Sequence, residues 1–267
     1  MTDRSVGFDR AADYYDRTRG FSAEAFDELL TVLVSDLGGR GRCLEIGVGT
    51  GLLALPLSEA GVAMVGADLA RPMLEKLVQK AGGRTPFPLV RADATALPFR
   101  DASLGCAVVR HVLHLIPRWA MAVSELARVL RPGGRIVTID GPFSDAGWEL
   151  VHRFLSEAGG VPFAVGLQPE DEETLAAEIS AHGGRLGNVT TIAETDPVTV
   201  GQFLDQMERG MHSWTWRVDE ATRRRAVASV RVWAEERFGS LGSAVADRSR
   251  ITVRRYDLPG EHSAAQR

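Results

Sequence analysis

Three glycines at alternate positions, Gly47, Gly49 and Gly51, form the stretch of this chain best suited to hold a small molecule. They follow the apolar run 44–46 and precede a helix-forming segment, which predicts a buried parallel strand that turns sharply into a helix. Glycine permits positive φ and leaves no Cβ between the main chain and a ligand. A dinucleotide site needs another glycine where this chain has Leu52, so the spacing weakens a dinucleotide interpretation.

Carboxylates accompany this turn and the predicted strands that follow it. Asp68 comes 17 residues after Gly51, where it could accept hydrogen bonds from both hydroxyls of a ribose or could cap the next helix. Asp93 ends the next strand, a place where an isolated aspartate is usually a turn residue. Glu45 lies inside a strand, so it needs either a ligand's ammonium group, reached through water, or neighbouring amides and hydroxyls. The residues alone leave both interpretations open for each carboxylate.

The glycine-rich run Leu44–Gly51 resembles the first motif of class I S-adenosylmethionine-dependent methyltransferases, an acidic residue followed by three alternating glycines at a strand end. The resemblance covers about residues 8–140 and is closest to the small-molecule type, the ubiquinone and menaquinone C-methyltransferases. Ala70 stands where the family commonly has serine. The other segments similar to motifs of this family are Tyr15-Asp16-Arg17-Thr18-Arg19, Asp68-Leu69-Ala70-Arg71-Pro72-Met73-Leu74, Asp93-Ala94-Thr95-Ala96-Leu97-Pro98-Phe99, Arg110-His111-Val112-Leu113-His114-Leu115-Ile116 and Leu130-Arg131-Pro132-Gly133-Gly134.

The resemblance implies a binding site for S-adenosylmethionine, with S-adenosylhomocysteine as the product. Asp68 would bind the ribose, and Leu69 and Met73 would contact the adenine. The Asp93 carboxylate would accept a hydrogen bond from the adenine amino group, and the Ala94 amide would donate one to a ring nitrogen. The nucleoside would therefore lie across the ends of two neighbouring strands.

The amino-acid part of the cofactor would lie against the glycine-rich turn, Glu45 and the main chain of Arg110, again by resemblance. Arg19, together with Tyr15, would hold the cofactor's carboxylate, because an arginine forks well onto a carboxylate. A solvated amphipathic arm is the alternative interpretation of this early segment.

Two histidines follow the predicted fourth strand. His111 and His114 could face a substrate, although a histidine beside apolar residues is usually structural. Their spacing lacks a nearby third ligand, so we predict no metal site. Displacement at a sulfonium methyl has a good leaving group, so the protein mainly aligns the nucleophile and excludes water. These two residues are therefore the catalytic candidates, and the sequence assigns neither of them the role of general base.

The methyl acceptor is predicted only as an unidentified small molecule. Two other functions stay open: a protein that binds S-adenosylmethionine without methyl transfer, and a nucleotide-dependent oxidoreductase. The formal net charge of −4 and the pI near 5.9 give no overall basic field, so nucleic acid is not an expected partner. The oligomeric state is predicted as monomer or homodimer.

Length and apolar content predict one large α/β unit within the 267 residues. Cys43 and Cys106 both lie in apolar strand-like runs, which predicts buried free thiols and a reducing cytoplasm. No apolar run reaches the roughly 18 residues of a membrane span, so we expect a cytoplasmic protein.

Strand and helix patterns alternate from residue 42 to residue 139 and predict a doubly wound, mostly parallel sheet. With the resemblance, this implies the seven-stranded Rossmann-like methyltransferase fold. An antiparallel edge strand and a helical cap are expected to complete it. The expected divisions are a helical arm at 1–40, a cofactor-binding core at 41–195, a cap at 196–247, the last core strand at 248–258 and a disordered tail at 259–267. Within the cap, Trp214 and Trp216 are expected to place at most one ring in a pocket.

Overall fold

The computed structural model describes residues 5, 8, 9, 15, 20–141, 144–168, 171–194, 198–245 and 249–260. Arg19 and residues 261–267 of the predicted tail lie outside these residues.

The described residues form a seven-stranded sheet in the order β3-β2-β1-β4-β5-β7-β6. The first five of these strands run parallel, and β7 is antiparallel to both β5 and β6. The fold prediction is thereby confirmed, including the antiparallel edge. The strands are β1 (Cys43–Ile46), β2 (Met64–Asp68), β3 (Leu89–Arg91), β4 (Leu104–Arg110), β5 (Leu130–Asp140), β6 (Arg185–Glu194) and β7 (Ser249–Asp257).

Helices connect the strands and fill the segment between β6 and β7. Two short 3₁₀ turns, Leu113–Leu115 and Ser213–Arg217, accompany them. The helices are α1 (Ala23–Leu37), α2 (Ala54–Glu59), α3 (Arg71–Lys80), α4 (Trp119–Val129), α5 (Asp145–Glu157), α6 (Glu172–Ala181), α7 (Val200–Glu208) and α8 (Glu220–Phe238).

Local sequence accounts for several helix ends. Ser22 caps α1 by accepting a hydrogen bond from the Ala25 amide, as its position predicts. Helix α2 begins at Ala54, so Pro56 occupies its first turn, where an amide would have no partner within the helix. Pro56 therefore removes no hydrogen bond from this helix.

Two details differ from the sequence expectations. Helix α3 has Ala70 as its N-cap residue, so Asp68 is not the cap. Strand β5 begins at Leu130, and the segment 131–134, whose proline and glycines favour a turn, belongs to this strand. The pairing of β4 with β5 shifts register here, between Leu104 and Cys106, so the extra residues of β5 are accommodated without ending the strand.

Three apolar clusters support this architecture. One lies between the sheet and helices α1 and α2, and a second lies on the opposite face beneath α4 and α6. The third joins α5 to α7 and α8. We call α7 and α8 the cap helices. Both cysteines are buried and free, as predicted. Among the described residues no helix is long and apolar enough to cross a membrane.

Candidate functional site

The turn after β1 brings the main chain close to its neighbours. Gly47 and Gly49 have φ values of 67° and 54°. A Cβ at Gly47 would lie 2.7 Å from Val112 Cγ2, and one at Gly49 would lie 3.3 Å from Met73 Cε. Only glycine fits these positions without strain. The turn after β1 is thus packed directly against the turn after β4.

Gly51 has a different task from the other two glycines. A Cβ there would lie 2.8 Å from Leu77 Cγ and 2.9 Å from Leu55 Cγ. The missing side chain lets α2 and α3 approach, and Gly51 does not line the crevice that its two neighbours line. We therefore attribute the third glycine to helix packing.

Asp68 ties the end of β2 to the glycine-rich turn. One carboxylate oxygen accepts from the Gly49 amide at 2.8 Å, and the other accepts from the Ala70 amide at 2.8 Å. Burial raises the pKa of Asp68, while these amides lower it. Each oxygen keeps a second lone pair, so the carboxylate can still accept hydroxyl donors from a ligand.

A narrow crevice of about 60 Å³ brings most of the predicted cofactor residues together. Asp93 faces it, and one of its oxygens accepts from the Ser5 hydroxyl at 3.1 Å. Phe8 also lines the crevice and packs against the Tyr15 ring, with the centroids 5.8 Å apart. The space left is far below the 300 Å³ or more that is usual for a ligand site, so a nucleoside must displace Ser5 and Phe8. The predicted residues that line it are Tyr15, Gly47, Gly49, Asp68, Leu69, Met73, Asp93, Ala94 and His111.

Glu45 is buried in β1 and is 4 % exposed. Burial raises its pKa to about 8, against the lowering effects of the Arg110 charge and of a hydrogen bond from the Ala54 amide. Its Oε2 atom has no hydrogen-bond partner in the described part of the chain. The Ala54 amide therefore supplies only part of the hydrogen bonding that this carboxylate needs, and a cationic group could supply the rest.

Arg110 ends β4 beside Glu45. It is largely buried, and its guanidinium carbon lies 4.4 Å from the centre of the Phe21 ring. Its side chain lines the larger cavity described next. This places Arg110 between the buried carboxylate and the open space.

His111 stands where two cavities meet. It lines both the crevice and a second cavity, whereas His114 lines only the second. Its φ of 48° is unusual for a residue other than glycine and is a form of backbone strain that is concentrated at functional sites. The two rings lie edge to face, with centroids 6.5 Å apart. Of the two predicted catalytic candidates, His111 is the closer to the glycine-rich turn.

The second cavity has a volume of about 800 Å³ and lies between the sheet and the cap helices. Its wall contains a chain of aromatic contacts: Trp148 and Phe163 at 5.1 Å, Phe163 and Trp214 at 6.1 Å, and Trp214 and His212 at 5.0 Å between centroids. Trp216 does not line this cavity and donates instead to the Gly210 carbonyl at 2.7 Å. The expectation that at most one of the two cap tryptophans lines a pocket fits this arrangement.

Charged residues at the other side of this cavity carried no sequence signal. Arg254 of β7 bonds to Asp140 of β5 at 2.6 Å and also to Glu172 of α6. These three residues are far apart in sequence and meet only because β7 runs antiparallel beside β5. No local motif could have assembled them.

Comparisons with known proteins fit this geometry. A family model described as a methyltransferase domain matches residues 44–138. The demethylmenaquinone methyltransferase of Beutenbergia cavernae is 30 % identical over 195 residues, which cover 70 % of this chain and 79 % of the relative. This chain belongs to the class I methyltransferase family. The recognition made from the sequence is confirmed.

Two further comparisons place this class I methyltransferase among its relatives. The demethylmenaquinone methyltransferase of Clavibacter sepedonicus is 35 % identical over 153 residues, covering 56 % of the chain and 61 % of the relative. The chain therefore spans about three fifths of that relative's length. The crystal structure of the YcgJ protein from Bacillus subtilis has a TM-score of 0.60 at 20 % identity, covering 87 % of this chain and 99 % of that one. At this identity the likeness shows the fold.

Proposed function

We propose that this class I methyltransferase transfers a methyl group from S-adenosylmethionine to a small aromatic acceptor. The observation that carries the proposal is the continuity of the site: the crevice at the glycine-rich turn and the aromatic-walled cavity share Phe8, Tyr15, His111 and Val112. A cofactor and an acceptor bound in these two spaces would meet at that point. The two relatives described above are demethylmenaquinone methyltransferases by name, and this ring compound supports an aromatic acceptor.

The residues present fit this cofactor. Glu45 has a buried oxygen with no hydrogen-bond partner among the described residues, and this oxygen could accept from an ammonium group. Asp68 has free lone pairs that could accept from ribose hydroxyls. The adenine would replace the Ser5 hydroxyl on Asp93. The sulfonium supplies an activated methyl with a good leaving group. We therefore propose the residues of the crevice, together with Glu45 and Arg110, as the cofactor site, and leave Gly51 as a packing residue.

The chain's own contribution is alignment and exclusion of water. The aromatic wall would hold the acceptor's ring, and the strained His111 would border its reacting atom. If that atom carries a proton, His111 is the side chain placed to receive it from the acceptor. We propose His111 rather than His114 as the catalytic residue, because only His111 borders both spaces.

The first test is calorimetric titration of S-adenosylhomocysteine into the wild type and two variants. Asp68→Ala and Gly49→Val should each weaken binding by about tenfold or more, because one removes a buried acceptor and the other adds a Cβ in a left-handed conformation. Asp205→Ala serves as the control, since Asp205 is an exposed partner of Arg231 on the cap. Wild-type affinity in both site variants would contradict the proposed site.

Methyl transfer is tested separately by mass spectrometry. The wild type with S-adenosylmethionine and demethylmenaquinol, the reduced form of the ring compound in the relatives' names, should release S-adenosylhomocysteine. His111→Ala should slow this release far more than His114→Ala. Binding of the cofactor with no release on any aromatic acceptor would indicate a cofactor-binding protein without transfer. Binding of nicotinamide nucleotides in place of S-adenosylhomocysteine would indicate an oxidoreductase.

A further inference from the structure

One face of the β5–β7 pair carries polar side chains that end beside the large cavity. Thr138 and Arg254 are opposite one another in the antiparallel register, so their side chains leave the sheet on the same side. Asp140 and Tyr256 are two residues further along each strand and share that side. Glu172 reaches the same place from the start of α6. We call Thr138, Asp140, Glu172 and Arg254 the polar floor.

Two atoms of the polar floor lack partners. Thr138 is 2 % exposed and Arg254 is 9 % exposed, and both line the cavity. Within the ranges that the structure describes, Thr138 Oγ1 and Arg254 Nε have no hydrogen-bond partner. Buried polar groups are almost always satisfied, and leaving one unsatisfied is costly. Two such atoms on paired residues indicate an occupant that supplies hydrogen bonds.

The charges of the polar floor limit what that occupant can be. The Asp140 and Glu172 carboxylates share the single guanidinium of Arg254, so the group carries one net negative charge when all three are ionised. Two more arginines line the cavity. Arg110 packs on Phe21, and Arg250 lies two residues before Thr252, the partner of Asp140, and about 13 Å along the strand from Arg254. A carboxylate bound at Thr138 and Arg254 would therefore face the net negative charge of the polar floor.

An ammonium group and a neutral hydroxyl group are the two remaining candidates for the occupant, and they differ in their hydrogen bonding. An ammonium group offers donors to the carboxylates but no acceptor for the Nε–H of Arg254. A hydroxyl group both accepts and donates, so it can satisfy Arg254 Nε, the Thr138 hydroxyl and a carboxylate together. We propose that the polar floor determines acceptor specificity by binding a neutral hydroxyl group on the aromatic acceptor and rejecting carboxylates. This inference rests on the proposed function and adds the recognition of the acceptor.

The test uses four probes with one ring system: naphthol, methoxynaphthalene, naphthoate and naphthylmethylammonium. Their affinities are measured by calorimetry with the full-length protein, both alone and saturated with S-adenosylhomocysteine. Naphthol should bind at least about tenfold tighter than methoxynaphthalene and naphthoate, because a site built to bond a hydroxyl rejects analogues that lack it. Naphthylmethylammonium should also bind more weakly than naphthol.

Variants then assign the preference to particular residues. Thr138→Val and Asp140→Asn should each reduce the naphthol preference over methoxynaphthalene to below about threefold, and Asp140→Asn should also strengthen naphthoate binding. Asp140→Asn changes an accessible side chain, so it keeps the test valid if Thr138→Val fails to fold. Glu149→Gln is the matched control, because Glu149 pairs with Arg237 outside the cavity and should leave the preference unchanged.

Several results would overturn the inference. These are equal binding of naphthol and methoxynaphthalene, tightest binding of naphthylmethylammonium, or an unchanged preference in both variants. Failure of S-adenosylhomocysteine to bind the wild type would instead count against the proposed function. The measurements on the cofactor-free protein keep the two failures distinguishable.

Discussion

Glu45 combines burial, a raised pKa and an oxygen atom without a partner. In the folded chain burial raises its pKa to about 8, whereas an unfolded chain leaves the glutamate near its ordinary value. Between these two values the folded protein holds a proton that the unfolded protein has lost. Stability must therefore fall as the pH rises through this window, because the unfolded state binds fewer protons. Strongly shifted pKa values of this kind are concentrated at functional sites, which agrees with the role proposed for Glu45.

Glu45→Gln should remove this cost. We expect the variant to gain stability relative to the wild type as the pH increases from about 5 to about 8, by on the order of 2–4 kcal/mol. Urea unfolding at several pH values measures the difference. Parallel stability curves for the two proteins would show that Glu45 does not titrate in this range.

The same substitution separates stability from binding. Because the amide cannot balance an ammonium group, Glu45→Gln should weaken S-adenosylhomocysteine binding by about tenfold or more even though the folded protein is more stable. Calorimetry on the variant checks this expectation. A variant that binds as tightly as the wild type would assign Glu45 a purely structural role.

The 3₁₀ turn 113–115 is positioned from the far side by the loop after α5. Gly166 donates to the His114 carbonyl at 3.1 Å, and a Cβ at Gly166 would lie 2.2 Å from the carbonyl oxygens of Leu113 and Ile116. Phe163 of the same loop contacts the His114 ring, with centroids 6.1 Å apart. This loop therefore determines where the histidine-bearing segment lies.

Gly166→Ala should displace that turn. We expect a loss of about 1–3 kcal/mol in the free energy of unfolding, because the added methyl group must push two backbone carbonyls apart. Gly242→Ala is the matched control, since among the described residues its Cβ would meet only the Ser240 hydroxyl, at 3.4 Å, and its effect should stay within about 0.5 kcal/mol. Denaturant unfolding compares the two variants. Equal stabilities of the two variants would mean that the loop containing Gly166 accommodates the added methyl group with no loss in the free energy of unfolding.

The sequence predicted the local elements and the type of sheet, but it did not predict which side chains from distant strands and helices meet. Helix α1 and its Ser22 cap, the glycine-rich turn and Asp68 follow from patterns within a few residues. Arg254 and Asp140 are 114 residues apart, and they meet only because β7 pairs with β5. Patterns within a few residues do not reveal this pairing. The different task of Gly51 was missed for the same reason, because Leu77 comes from another helix.

Phe8 joins the crevice to the 3₁₀ turn Ser213–Arg217 of the cap. Phe8 contacts Tyr15 on one side and Trp216 of the cap on the other, with the Trp216 centroid 4.7 Å away. The Ser5 hydroxyl donates a hydrogen bond to the Asp93 carboxylate in the same crevice. A nucleoside would fit in the crevice only if Ser5 and Phe8 moved out of it. We propose that cofactor entry and the position of the cap are coupled through Phe8.

Phe8→Ala should speed cofactor entry. Binding that requires a conformational change is slow, so removing the ring that fills the crevice should raise the association rate constant of S-adenosylhomocysteine by at least about threefold. Stopped-flow tryptophan fluorescence follows the reaction, and Phe238→Ala, which removes an aromatic contact with Trp233 outside both cavities, serves as the control. If association is unchanged or slower, Phe8 supports the bound cofactor instead of competing with it. The dissociation rate constant would then rise, and the two roles are separated by the same experiment.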